Sequence, residues 1–404
     1  MNKTLSYEEA RDLLLSQVRP VGAETLPLEI CAGRVLAETV SARYSVPPFD
    51  RSPYDGYAFR AADSAGASRT SPVTLRVLAE VPAGSLSPCP VTEGAAVRIM
   101  TGAPIPEGAD AVVMFEKTEF TAETVTLFSP ARPGENVVRA GEDVTAGAVL
   151  AEAGSLIDAG TLGTLASQGF ASLEVFRKPK VGIISTGSEL IEPGEPLLPG
   201  KIGNSNRYTF TALLEGLGCL PLYLGTARDE TAAIAALLRE GVNTCDAVLL
   251  TGGVSVGDYD LTPEAMEACG VKLLFRGVDL KPGMACAYGM AEEKPVMGLS
   301  GNPASAVTNF HAVAVPALKR LRGLRDCLPH ALTVTLTAGF QKASPATRLL
   351  RGKLLLSDGE VKLQIAPEQG NAVLTSTIGC DAMAVVPAGS GPVAPGTKLK
   401  GFML

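Results

Sequence analysis

KVGIISTGSEL, residues 180–190, begins the part of the chain whose reading decides the fold. An apolar strand-length run, KVGIIS, ends in a Thr-Gly-Ser turn, and the amphipathic stretch SNRYTFTALLEGLG (205–218) follows. The same alternation continues through PLYLGTA (221–227), DETAAIAALLREG (229–241), DAVLLTGG (246–253), LTPEAMEACG (261–270), KLLFRGVDL (272–280), PVMGLSG (295–301) and NPASAVTNFHAVAVPALKRL (302–321). Strand-length runs separated by helix-length runs predict a parallel sheet covered by helices. In such a sheet ligands bind beyond the carboxyl ends of the strands, so the loops after each strand are where chemistry is expected.

Three of those loops combine glycine with hydroxyl or amide groups: Thr186-Gly187-Ser188-Glu189, Gly252-Gly253-Val254-Ser255-Val256-Gly257-Asp258 and Ser300-Gly301-Asn302-Pro303. Backbone N–H groups at a strand-to-helix turn favour an anion, and three such turns in one domain outweigh the reading of each as a tight turn. Asn302-Pro303 equally suits an N-cap followed by proline at the first helical position. Carboxylates accompany the loops at Glu189, Asp229, Asp258 and Asp260. Mg²⁺ takes oxygen ligands and bridges substrate phosphates, which makes these acids sensible metal neighbours, whereas Asp229 and Asp258 also stand where helix caps would. Lys281, in LKPGM, follows an apolar strand and is placed to face the same cleft, against the commoner role of a lysine as a solvated surface charge.

Outward from this core the texture changes. Residues 5–18 read as an amphipathic helix with Ser6 as cap and Glu8 and Glu9 in its first turn. Between about 26 and 177, short runs such as TLRVLAEV (74–81), AAVRIM (95–100) and ADAVVMF (109–115) predict mainly antiparallel strands, with a helix over 159–170. After 329, LTVTLTAGF (332–340) and VKLQIAP (361–367) predict a small β-barrel or sandwich. A second polar cluster lies in the β-rich part: Asp55 in SPYDGYAF, Thr101 in RIMTGAP, and Glu142 and Asp143 in AGEDV, all ordinary turn material when read singly.

Composition bounds the function. At 404 residues, 46% hydrophobic and 19% charged, the chain carries enough apolar side chains for several cores. A net charge of −7 argues against a nucleic-acid partner, which requires a clustered basic surface. No apolar run approaches the roughly 20 residues that span a bilayer, so no membrane role is expected. The start has no apolar core before a cleavage site, and the eight cysteines lack C-x-x-C spacing, so a cytoplasmic protein with reduced cysteines is expected.

Taken together, SPYDGYAF, RIMTGAPIPEGADAVV, GEDVTAG, ISTGSEL, GNSNRYTFTALLEGLG, ARDE, TGGVSVGDYD, LKPG and GLSGNPASA resemble, in order and spacing, the molybdopterin molybdenumtransferases, the MoeA proteins whose eukaryotic relatives include the E domain of gephyrin. The resemblance covers the chain nearly end to end. It implies a multidomain α/β plus β protein: 1–45 with 148–177 as an N-terminal helix and extended dimerisation domain, 46–147 as a β-rich domain, 178–328 as the α/β molybdopterin-binding domain, and 329–404 as a C-terminal β-barrel. It further implies a homodimer and a Mg²⁺-dependent insertion of molybdate or tungstate into adenylylated molybdopterin, with release of AMP. A molybdopterin adenylyltransferase would be a possible protein partner.

Carried over by motif, Asp55, Asp143, Glu189, Asp229 and Asp260 would be catalytic, with Glu189 and Asp260 at the metal. Thr101, Thr186, Gly187, Gly252, Gly253, Ser255, Lys281, Gly301, Asn302 and Pro303 would bind substrate. The chain departs from the family pattern at Ser188, Ser300, Asp258, Leu261 and Met284. Two other readings are a molybdopterin adenylyltransferase that consumes ATP and a non-catalytic scaffold of the gephyrin type. The joint retention of five acids at motif positions speaks against the scaffold.

Overall fold

The computed structural model describes residues 4–254, 261–357 and 359–404. It divides into two compact units, one of Thr39–Glu152 with Gly163–Phe170 and the other of Met1–Glu38, Ala153–Leu162 and Ala171–Leu404.

The larger unit is built on a six-stranded sheet in the spatial order Leu220–Ala227, Lys180–Thr186, Ala247–Thr251, Lys294–Leu299, Cys286–Ala291, Lys272–Arg276. The first four strands run parallel. The expected parallel rhythm therefore holds there, but Cys286–Ala291 pairs antiparallel with both of its neighbours and makes the sheet mixed. Alternate side chains go to opposite faces, as the two-residue period of a strand requires. Ile183, Leu249 and Met297 enter one core with helices α1 (Tyr7–Gln17), α3 (Ser205–Gly216), α6 (Pro303–Asn309) and α7 (Val315–Leu321). Ile184, Val248, Leu250 and Val296 enter the other with α4 (Thr231–Thr244) and α5 (Thr262–Ala268). The remaining helix, α2, covers Ala159–Ser167.

Helix α1 starts where its sequence says it should. The Ser6 hydroxyl accepts from the Glu9 amide while the Glu9 carboxylate accepts from the Ser6 amide, a reciprocal capping box that satisfies two otherwise orphaned donors. Its buried face, Tyr7, Ala10 and Leu14, joins the first core. The C-terminal strands close into a five-stranded barrel, which resolves the choice between barrel and sandwich. In the smaller unit, six strands pair in the order Ala111–Met114, Gly56–Phe59, Ala95–Ile99, Val73–Val81, Thr124–Leu127, Thr118–Phe120. The pairing is antiparallel as expected, except that Val73–Val81 and Ala95–Ile99 run parallel. All eight cysteines are unpaired. Among the described residues no helix is long and apolar enough to cross a membrane.

Between α6 and α7 lies one π-helical turn, Phe310–Ala314, and it carries His311. Burial, and secondarily the charge of Lys319, pull this imidazole down to about 4. The folded protein thus binds fewer protons than the unfolded chain between about pH 4 and the ordinary value near 6.5, so stability falls as pH drops through that window. Because the ring keeps some exposure, the loss is about 2 kcal/mol. Urea midpoints recorded from pH 7 to 4 should show His311→Gln losing less stability than the wild type across this range.

Candidate active site

Four parallel strands end at Thr186, Ala227, Thr251 and Leu299, and the loops beyond them line one cavity of about 780 Å³. Its walls include Thr186, Gly187, Glu189, Asp229, Gly252, Gly253, Ser300, Gly301, Asn302 and Pro303, joined by Asn204 and Asn206 from the start of α3. The structure thus brings together three sequence segments that the loop argument had picked separately. Ser255, Asp258 and Asp260 lie outside the described residues.

The floor of this cavity requires glycine. A Cβ at Gly252, whose φ is +102°, would fall 2.3 Å from Thr186 Oγ1 and 2.6 Å from the Thr186 carbonyl oxygen. Gly252 N–H donates to Leu299 O and Thr262 Oγ1 donates to Gly252 O, so the turn is fixed from both sides. Gly252→Ala should accordingly displace the Thr186 strand end, lowering stability by about 3 kcal/mol and weakening ligand binding; thermal melting with and without nucleotide measures both. At Gly187, with φ +142°, a Cβ would fall 2.5 Å from Glu189 Oε2. The Glu189 carboxylate therefore folds back over bare backbone.

Asp229 does not cap α4. The N-cap position belongs to Glu230, without a side-chain hydrogen bond, and Asp229 Oδ2 instead accepts from the Ser188 amide at 2.9 Å. Asn302 occupies the N-cap position of α6 with Pro303 following, as the local reading foresaw, but its side chain makes no capping bond and stands at the cavity wall. Ser300 Oγ accepts from the Asn302 amide.

Lys281 lines a second cavity of about 1200 Å³, which shares Val254, Ser300 and Asn302 with the first. Arg276, Lys342 and Arg348 contribute to the same walls, against one carboxylate, Glu368. A dianion placed there would meet four cationic side chains. Just beneath lies Arg351, fully buried, its guanidinium donating to Ser376 Oγ, Thr308 Oγ1 and Gly370 O. Burial pulls Arg351 down to about 10, and among the described residues no carboxylate forms an ion pair with it.

Sequence reasoning missed Asn204, Asn206, Arg348 and Arg351. Asn204 does cap α3, accepting from Arg207 N–H, yet it also accepts from Ser185 Oγ and donates to Glu192. Burial would raise Glu192, but hydrogen bonds from Asn204, Tyr208 and Arg207 hold it below the usual carboxylate range. No local pattern reports such a network, because its members are up to 41 residues apart along the chain, from Ser185 to Thr226.

In the smaller unit Asp55 and Thr101 are brought together. Asp55 Oδ1 accepts from both the amide and the hydroxyl of Thr101 at 2.7 Å, and these bonds hold the carboxyl below its ordinary value. Asp143 sits on the turn whose backbone bonds to Val46, with its side chain exposed. Among the described residues no cluster of three or more His, Cys, Asp or Glu is arranged to hold a metal.

A mixed α/β sheet with its polar cavity at the strand ends, a closed β-barrel and a separate β-rich unit define a multidomain α/β plus β protein. Residues 5–169 match the model for the MoeA N-terminal region (domains I and II), 182–320 that for a probable molybdopterin binding domain, and 333–400 that for the MoeA C-terminal region (domain IV). A molybdopterin molybdenumtransferase of Staphylococcus aureus (strain MRSA252) is 37% identical over 386 residues, spanning 96% of this chain and 92% of that protein. One from Staphylococcus epidermidis (strain ATCC 12228) is 36% identical over the same length, with the same coverage of both chains. The crystal structure of a molybdopterin biosynthesis MoeA protein from Pyrococcus horikoshii OT3 superposes with a TM-score of 0.86 at 32% identity, over 100% of both chains. The chain belongs to the MoeA family, the molybdopterin molybdenumtransferases of molybdenum cofactor biosynthesis.

Proposed function

We propose that the protein inserts molybdate, with tungstate as the alternative oxyanion, into adenylylated molybdopterin and releases AMP, acting as a cytoplasmic homodimer. The observation that carries this reading is the pair of adjoining cavities. One is walled by glycine-rich strand ends with Glu189 and Asp229, the other by Arg276, Lys281, Lys342 and Arg348. A phosphoanhydride suits the first, because backbone turns and the N-terminus of α3 favour bound phosphate oxygens. A compact oxyanion suits the second, through its excess of cations.

The residues present fit Mg²⁺. This ion is usually held by one or two carboxylates, with water and substrate phosphate completing its shell, and Glu189 and Asp229 are two hard-oxygen donors on one wall. The Glu189 carboxylate also lies in a cradle over Gly187 that a Cβ would fill. When bound, the ion would neutralise charge developing on the phosphoanhydride. Glu189, together with Asp260 as the family motif implies, would hold the ion or its water. Asp229, anchored on the Ser188 amide, would orient the attacking water toward phosphorus. The P–O bond to the pterin phosphate would break, giving AMP. The two dithiolene sulfurs would take the metal, one oxo group leaving as water with their protons. Asp55 of the partner subunit, with Thr101 and Asp143 of the partner subunit, would complete the site.

Purified protein supplied with Mg²⁺, molybdate and adenylylated molybdopterin should form metal-bound cofactor and AMP in equal amounts. Absence of AMP from folded protein removes the proposed reaction, and consumption of ATP with molybdopterin alone would assign the adenylyltransferase reaction instead.

A further inference from the structure

The loop that carries Lys281 is pinned from within the protein by a buried polar pair. Asn309, the last residue of α6, is fully buried, and its side-chain amide donates from Nδ2 to the Gly283 carbonyl at 2.7 Å. Its Oδ1 accepts from the Tyr288 hydroxyl at 2.6 Å, and Tyr288 is likewise fully buried, its ring stacked on Phe275. The Gly283 carbonyl can only accept, so Nδ2 must face it, and the Tyr288 hydroxyl then donates to Oδ1 and holds the amide in that orientation. Gly283, with φ +117°, lies hard against the helix end: a Cβ there would stand 3.2 Å from Asn309 Cβ and 3.3 Å from its backbone nitrogen. On its other side the loop is stitched to the barrel, Lys281 N–H donating to Thr347 O and Leu349 N–H donating to Lys281 O. The π-helical turn begins immediately after Asn309, at Phe310. Such turns interrupt regular helical bonding and recur beside functional sites.

We infer that Asn309, oriented by Tyr288, is a positioning residue that sets the Lys281-Pro282-Gly283 loop at the height where Lys281 meets the oxyanion. This rests on the assignment of the cationic cavity to the oxyanion. Neither side chain is among the residues lining either cavity, and both act through the loop. A buried polar group left unpaired costs free energy: loss of the Tyr288 hydroxyl strips Asn309 Oδ1 and frees the amide to turn, and loss of the Asn309 amide strips the Gly283 carbonyl of the loop.

The test uses full-length protein in the AMP-release assay, with molybdate and adenylylated molybdopterin varied separately. Tyr288→Phe should raise the KM for molybdate about 3- to 10-fold while leaving the KM for the pterin substrate within about 2-fold, since one buried hydrogen bond is at stake. Asn309→Asp gives a signature that loss of packing cannot imitate. The acid retains the acceptor for Tyr288, but it can donate to Gly283 O only when protonated. Its molybdate KM, taken as a ratio to the wild type at each pH, should approach the wild type at low pH and rise as pH increases. A flat ratio, or variants that are folded by thermal melting and show wild-type KM for molybdate, overturns the positioning role. If the wild type itself shows no molybdate-dependent turnover, the proposed reaction fails instead, and the two outcomes are distinguishable.

Discussion

Asp229→Asn is expected to lower turnover at least about 100-fold while leaving the melting temperature near that of the wild type. The amide is isosteric with the carboxylate and its oxygen still accepts from the Ser188 amide, so the strand-end loops keep their geometry. What is lost is negative charge at the wall of the cavity proposed for the phosphoanhydride. Removing one aligned polar or charged group from such a site costs about 3 kcal/mol in the transition state, which corresponds to roughly 100-fold in rate. The measurement is single-turnover AMP release with saturating substrate. A variant within about 3-fold of wild type would return Asp229 to a purely structural role.

Arg351→Ala should be the most destabilising of the substitutions considered, by about 3–5 kcal/mol. Deleting the side chain opens a void where three elements meet and strips donors from Ser376, Thr308 and Gly370. The two bonds that the Gln369 side chain makes to the Arg351 backbone, accepting from N–H and donating to O, remain available in the variant, so the loss is confined to the guanidinium contacts and the packing. Arg351→Met restores volume without the donors, so the difference between the two variants in urea midpoint separates packing from hydrogen bonding. Equal midpoints for wild type and Arg351→Ala would show that the guanidinium contributes no net stability.

Much of the fold was legible because its signals are local. The capping box from Ser6 to Glu9 spans only four residues, and the alternation from Lys180 onward needs only composition and length. Cys286–Ala291 escaped because all six residues are buried and none is β-branched, so neither a two-residue alternation nor β-branched enrichment marks it. The site divides along the same line. Glycine-rich strand ends announce themselves, and Thr186, Gly252 and Asn302 do line one cavity.

Roles that depend on distant partners did not announce themselves. Asp229 looked like a helix cap until its partner proved to be Ser188, 41 residues away. Arg351 stands in a strand where a charge ordinarily faces water, and only Thr308 and Ser376, 43 and 25 residues distant, account for its burial. The resemblance to a family singled out Asp55 and Thr101 separately, where turn chemistry alone left both as ordinary loop residues, and only the structure joins them by hydrogen bonds.

The proposed reaction requires two subunits to complete each site, one through Asp229 and the other through Asp55. Inactive Asp55→Asn and Asp229→Asn proteins, unfolded together and refolded as a mixture, would form hybrid dimers in which one of the two sites has both acids. Random reassortment then predicts recovery of about a quarter of wild-type AMP release. Activity that stays at the level of the separate variants, in a mixture shown to contain hybrid dimers, contradicts the shared site.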